Sequence, residues 1–177
     1  MPYARRIFIE RELKILIRLG IISEANPGEC PYACRIVVVA KKDGTLRRCV
    51  DYRHLNQMTI KDAYPLPLID DIFTSLHNSY YIAAVDLRMG YHQIPVRAED
   101  HPKTAVITHK RLYAVNAMPY EPCNVPATFQ RLMDGIFREQ IEKDLAAYPD
   151  DLLMYALRHG EMLPIWNLTL GQLIERG

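Results

Sequence analysis

Residues 145–156 read Leu-Ala-Ala-Tyr-Pro-Asp-Asp-Leu-Leu-Met-Tyr-Ala. Two apolar stretches, Leu145 to Tyr148 and Leu152 to Tyr155, flank Pro149-Asp150-Asp151, the pattern of a strand, a tight turn and a returning strand. A second apolar strand closed by a carboxylate lies upstream at Tyr80 to Asp86 and runs on into Leu-Arg-Met-Gly-Tyr-His-Gln. Carboxylates gathered at neighbouring strand ends repel one another unless a divalent cation neutralises them. Hard ions such as Mg2+ and Mn2+ suit such oxygen ligands and keep waters for substrate phosphates. The alternative is a plain β-turn, since Pro fixes φ and Asp bonds its own backbone. Asp70-Asp71 is a useful contrast: it falls in the first turns of a helical pattern, where the macrodipole favours negative charge.

Outward from these sites the chain mixes hairpins and helices. Ile9, Leu13, Leu16 and Gly20 share a helical face, and Gly20 suits a left-handed C-cap. Asn26-Pro27-Gly28 signals a loop. Arg35 to Ala40 (RIVVVA) predicts a well-buried strand, Lys41-Lys42-Asp43-Gly44 a hairpin turn, and Leu46 to Tyr52 the returning strand. After Tyr64-Pro65-Leu66-Pro67 a short helix places Leu68, Ile72, Phe73 and Leu76 on one face. Ile94 to Val96, Thr104 to Thr108 and Leu112 to Ala117 are further short strands. Asn124 to Ile141 reads as a helix with Asn124 as N-cap and Pro126 in its first turn. The tail from Arg158 reads as partly helical around Leu168, Leu173 and Ile174. Without regular βαβ alternation the class is α+β.

Composition removes several function classes. The chain has 177 residues, with 22 Lys and Arg against 21 Asp and Glu, a formal charge of +1. Net charge therefore points to no nucleic acid, membrane or acidic partner, and any such function rests on local clusters. One exists: Lys41, Lys42, Arg47, Arg48 and Arg53 lie on and after the proposed hairpin, suited either to a triphosphate or nucleic-acid backbone or to guarding a solvated edge. Four cysteines are too few for a disulfide scaffold, and the Cys30–Cys34 spacing lacks a second pair for zinc. No uncharged apolar run approaches the roughly 18 residues of a membrane span, and the N-terminus lacks a signal-peptide core. The expectation is an intracellular protein that is not secreted.

Taken together, eight segments resemble the reverse transcriptases of gypsy-type LTR retrotransposons, in that family's order. They are GIISEAN (20–26), VVVAKKDGTLRRCVDYRHLN (37–56), KDAYPLPLIDDI (61–72), YIAAVDLRMGYHQIPV (81–96), PKTAV (102–106), LYAVNAMP (112–119), CNVPATFQRLMD (123–134) and YPDDLL (148–153). The resemblance implies right-hand polymerase fingers and palm, an antiparallel palm sheet with packed helices, and no thumb. Residues 1–85 and 97–120 would be fingers-like with parts of the palm, 86–96 and 121–155 palm, and 156–177 a divergent tail. It implies nucleotidyl transfer with two Mg2+ ions (or Mn2+), copying an RNA or DNA template from deoxynucleoside triphosphates. By position, Asp86, Asp150 and Asp151 would be catalytic metal ligands, with the Leu87 carbonyl alongside. Lys41, Arg47, Tyr91 and Tyr120 would face the nucleotide, Tyr91 as the gate against a ribose 2′-hydroxyl. Tyr148, Gln130 and Arg53 would face primer and template. RNase H and integrase domains are expected downstream in a full polyprotein.

The chain departs from that pattern in several places. Pro149 stands where a large apolar residue is usual, and Tyr120-Glu121-Pro122 replaces Phe-Gly-Leu. His109-Lys110-Arg111 lacks the family's Pro-Asp-Gly turn, the loop at Pro27 to Cys30 is longer, and the match fades beyond Tyr155. These departures admit a second reading, a degenerate copy that retains nucleic-acid binding at most. An unrelated α+β interaction domain is the third.

Overall fold

The computed structural model describes residues 3–26, 28–141 and 143–176, so Pro27 of the expected loop lies outside the described residues. In chain order the elements are α1 (Tyr3–Arg18), β1 (Ile22–Glu24), β2 (Cys34–Ala40), β3 (Leu46–Val50), α2 (Arg53–Met58), α3 (Ile69–Leu76), β4 (Tyr81–Asp86), α4 (His101–Thr104), β5 (Val106–Ile107), β6 (Leu112–Val115), α5 (Val125–Ile136), β7 (Leu145–Tyr148), β8 (Asp151–Ala156) and α6 (His159–Arg176). Short 3-10 turns occupy Gly90–Gln93 and Ala98–Asp100. The chain divides into two compact units, residues 1–60 with 91–123 and residues 61–90 with 124–177.

In the first unit the predicted apolar face of α1 is the buried one: Ile9, Leu13 and Leu16. Gly20 ends the helix at φ +72, with Gly20 N–H on the Ile17 carbonyl and Ile21 N–H on that of Leu16, the paired bonds of a Schellman cap. Five strands follow in the order β1-β6-β5-β2-β3, with only β2–β5 parallel. The hairpin falls where expected: Ala40 opposes Leu46, Gly44 takes φ +82, and Asp43 Oδ1 accepts from the Thr45 N–H and hydroxyl. β2 is not the fully buried strand its composition suggests. Ile36 and Val38 are buried but Val37 and Val39 are exposed, because a β-branched run reads alike whether one face or both are covered.

Tyr52, fully buried, donates its hydroxyl to the Thr104 carbonyl. Glu121 closes the same region. Its Oε1 accepts the Val50 N–H at 3.2 Å, its carbonyl accepts from Asn56 Nδ2, and Asn56 Oδ1 takes the Cys123 N–H. The unusual 120–122 segment is thereby fastened to β3 and α2.

In the second unit an antiparallel sheet runs β4-β8-β7, and its core gathers Phe129, Met133, Phe137, Leu145, Leu152 and Met154. Both sheets pair mainly antiparallel with helices outside any βαβ repeat, which is the α+β class expected. Several elements differ from their sequence patterns. Ile94 to Val96 forms no strand, only a Pro95–Ala117 bridge, since proline lacks the N–H a ladder needs. Thr104 to Thr108 shrinks to the two residues of β5 behind α4. Asn124 does not cap α5 by its side chain; its Oδ1 accepts the Asp62 N–H instead. α5 stops at Ile136, five residues short of Ile141. α3 buries Ile72 but leaves Leu68 and Phe73 exposed. α6 is helical throughout despite Pro164.

Glu121→Leu strands the buried Val50 N–H and is expected to cost about 1–3 kcal/mol in denaturant unfolding. Glu121→Gln, which keeps an acceptor oxygen, should retain most of the wild-type stability.

Candidate active site

β4 and β8 pair over six residues, from Tyr81 opposite Ala156 to Asp86 opposite Asp151. Leu87 continues the ladder, its N–H reaching the Asp150 carbonyl at 2.8 Å. Ladder bonds alternate along an antiparallel pair. Asp86 and Asp151 therefore form a non-hydrogen-bonded pair, the kind with closest side chains, at about 4.5 Å between Cα atoms. Two like charges directly across a ladder destabilise it. The sequence thus places an unfavourable pair at the closest spacing a sheet offers.

Asp150 sits one residue away, in the two-residue turn between Tyr148 and Asp151. Its Oδ1 is buried and accepts no hydrogen bond. Burial first, then the charges of Asp86 and Asp151, push its carboxyl above the ordinary range. Two-residue hairpin turns of the favoured primed types need positive φ at their first central residue. Proline cannot supply it, and among the described residues positive φ occurs only at Met89, Gly20, Gly28 and Gly44. The Pro149-Asp150 turn is therefore unprimed, a poorer match to the twist of its strands. Among the described residues no three His, Cys, Asp or Glu side chains converge into a closed metal cage. The three carboxylates expected to share ions are neighbours at one sheet corner, not a finished ligand set.

Packing fixes the chain immediately beyond Asp86. Gly90 N–H bonds the Leu87 carbonyl at 3.0 Å, and Met89 takes φ 56 at the third position of that turn. A Cβ on Gly90 would stand 3.0 Å from Phe129 Cζ and 3.2 Å from Cε2. The buried ring of α5 thus leaves little room for a side chain there and packs against the segment that follows Asp86. Gln130, next on α5, is also buried, and its Nε2 donates to the Ala147 carbonyl and to Asp134 Oδ1. Asp86, Leu87, Gln130, Tyr148, Asp150 and Asp151 all belong to this second unit.

Lys41, Arg47, Arg53, Tyr91 and Tyr120 belong to the first. Lys41 and Arg47 are exposed on the β2–β3 hairpin. Arg53 is already engaged, its guanidinium on both oxygens of Asp51, whose carboxyl this pairing and the Arg53 N–H lower to about 2. Tyr91 is buried with its ring edge-on to Tyr120 at 5.2 Å. His92 stands 4.7 Å from the same ring and bonds the Met118 carbonyl through Nδ1. Burial chiefly, with Arg48 adding, pushes the His92 imidazole down, so it faces the tyrosines neutral at pH 7.

The near-neutral total conceals a partition. The first unit carries fifteen Lys and Arg against nine Asp and Glu, a net +6; the second carries seven against twelve, a net −5. One half suits a polyanion and the other a cation.

A family model described as reverse transcriptase (RNA-dependent DNA polymerase) matches residues 39–177. The chain belongs to the reverse transcriptase family. The Pol polyprotein of the Drosophila melanogaster transposon opus is 38% identical over 160 residues, covering 88% of this chain and 16% of that protein. That of the transposon gypsy is 34% identical over 174 residues, covering 95% and 16%. An RNA-directed DNA polymerase homolog of Oenothera berteroana is 37% identical over 113 residues, 64% of this chain and 80% of that protein. This reverse transcriptase chain thus spans about a sixth of the two polyproteins. Among solved structures, the foamy viral protease-reverse transcriptase in complex with RNA/DNA hybrid matches with a TM-score of 0.88 at 20% identity, over 99% of this chain and 23% of that one. The same enzyme in complex with double-stranded DNA gives 0.82 at 22%, over 92% and 28%. At that identity the likeness is one of fold, and the fold is the reverse transcriptase polymerase fold.

Sequence reasoning missed the inward direction of Gln130, the anchoring of Glu121 and the contact that crowds Gly90. Only Gly90 carried a signal, as an isolated glycine four residues beyond the end of a strand.

The raised carboxyl of Asp150 has a defined stability consequence. Unfolded, the group loses its proton at its ordinary, lower pKa, so stability falls as pH rises through the window between that value and the raised one. Without divalent ions, Asp150→Asn should melt above wild type at pH 7.5, the gap closing as pH drops through the carboxylate range. Gly90→Ala should destabilise by about 1–3 kcal/mol in thermal unfolding.

Proposed function

We propose that the chain is the polymerase portion of an RNA-directed DNA polymerase, extending a primer 3′-hydroxyl along an RNA or DNA template with deoxynucleoside triphosphates. The carrying observation is the corner where Asp86 and Asp151 oppose each other beside the buried, unpartnered Asp150 Oδ1. Opposed like charges and an orphaned acceptor are both relieved by a cation, and carboxylate oxygens suit Mg2+ or Mn2+. An ion of that class needs only one or two protein carboxylates, completing its shell with water and phosphate oxygens.

Asp86, Asp150 and Asp151 would hold two such ions, with the Leu87 carbonyl as a further oxygen that still has a lone pair beyond its bond to Gly90. Bound there, divalent ions supply a more acidic 3′-hydroxyl and neutralise charge on the transferring and leaving phosphates. Lys41 and Arg47, exposed on the hairpin of the basic unit, would bind the triphosphate as point charge and fork. Tyr91, locked edge-on against Tyr120, presents a rigid ring suited to rejecting a 2′-hydroxyl, because a packed aromatic does not yield to one more atom. Tyr148, at the mouth of the acidic turn, would lie by the primer end. Residues 1–85 and 97–120 would serve as fingers with parts of the palm, and 86–96 and 121–155 as palm.

Primer extension on an RNA template with Mg2+ or Mn2+ tests this reading. Wild type should extend, and Asp150→Asn should lose on the order of 10³-fold in rate. Identical traces from the two proteins would remove the polymerase. Arg47→Ala should raise the KM for deoxynucleotide about tenfold while sparing fold and melting temperature.

A further inference from the structure

Family position assigns Gln130 to the template, but the structure turns it inward. The side chain is 1% exposed, and its Nε2 donates to Asp134 Oδ1 at 2.9 Å and to the Ala147 carbonyl at 3.3 Å. Both partners are acceptors, so the amide cannot be reversed without losing both bonds. Asp134 Oδ2 takes the Tyr64 hydroxyl at 2.5 Å, and the Arg131 guanidinium lies 4.7 Å above the Tyr64 ring while bonding Asp62 at 2.5 Å. A continuous path of bonds therefore runs from the 62–64 segment through α5 to Ala147. That residue immediately precedes Tyr148 at the acidic turn.

Apolar packing of Leu145 and Ala147 holds the buried face of β7, and the directional bonds add to it. A cavity of about 680 Å³ is bounded by the 64–67 segment, α3, α5 and β7, with Gly135, Ala146 and Ala147 as small residues on its wall. β7 is moreover an edge strand, held by one ladder only, to β8. Beside this open groove, an edge strand gains precision in its height from directional bonds added to the packing of Leu145 and Ala147 and the Ile141–Leu145 bridge.

We propose that Gln130, Asp134 and Tyr64 are positioning residues: together they set where β7 stands on α5, and so where the corner presents Asp150 and Asp151. The network's significance for catalysis rests on the polymerase reading; its mechanical role does not. Gln130→Met conserves shape and removes a buried, unpartnered Oε1, but it strands the buried Ala147 carbonyl, so some stability of the second unit is lost and the decisive readouts are the kcat–KM split and where exchange speeds up.

Two measurements on the full chain test this. In primer extension, Gln130→Met should lower kcat about tenfold or more with the deoxynucleotide KM within about twofold. Asp134→Leu should behave likewise, whereas Asp134→Asn, which keeps an acceptor for Nε2, should recover most of the rate. In amide hydrogen exchange, Gln130→Met should speed residues 147–152 at least about fivefold while β2 in the other unit stays unchanged. Wild-type kcat with unchanged exchange in Gln130→Met would overturn the proposal, as would faster exchange spread evenly over both units. Local exchange contrast in a wild type that extends no primer would uphold the network and sink the polymerase reading.

Discussion

The second unit is organised around a repulsion. Asp86 and Asp151 face each other in the tightest cross-strand register, with Asp150 held half out of water beside them. These like charges weaken the pairing at the strand end. They are kept together by the β4–β8 ladder, by the Leu87–Asp150 backbone bond and by the Phe129 ring seated against Gly90. Stability is spent on holding a site that costs stability, the pattern expected where geometry serves binding and chemistry rather than folding.

Much of this was legible because periodicity and chemistry coincided. A short apolar run ending on a carboxylate announced β4, and the apolar–Pro-Asp-Asp–apolar pattern announced β7 and β8. α1 and α5 declared themselves by their 3.6-residue faces, down to Gly20 at the cap. What stayed hidden has physical reasons. α2 is only Arg-His-Leu-Asn-Gln-Met, with no buried residue to give a periodic signal, and β1 is three residues long. Ile94 to Val96 had strand composition, but Pro95 forfeits the bond that makes a strand. The family resemblance put Gln130 at the template, and only coordinates reveal that its amide closes on Ala147.

Pro149 and Glu121 were both departures from the family pattern, and the structure treats them differently. Glu121 is absorbed, its carboxylate ending β3 by accepting the Val50 N–H. Pro149 is accommodated only by an unprimed turn, which leaves the acidic corner dependent on support from α5. The first departure adds a side-chain acceptor that ends β3 locally. The second shifts mechanical load onto a neighbouring helix.

The division of charge has a salt-dependent outcome. With a sequence pI near 7.7, the molecule carries almost no net charge at neutral pH, yet its two halves are strongly opposite in sign. Each unit taken by itself therefore carries a field that the near-zero total hides, and moderate salt screens that field over about a nanometre. Electrolyte therefore weakens whatever each half attracts on its own, cations at the acidic unit and polyanions at the basic one.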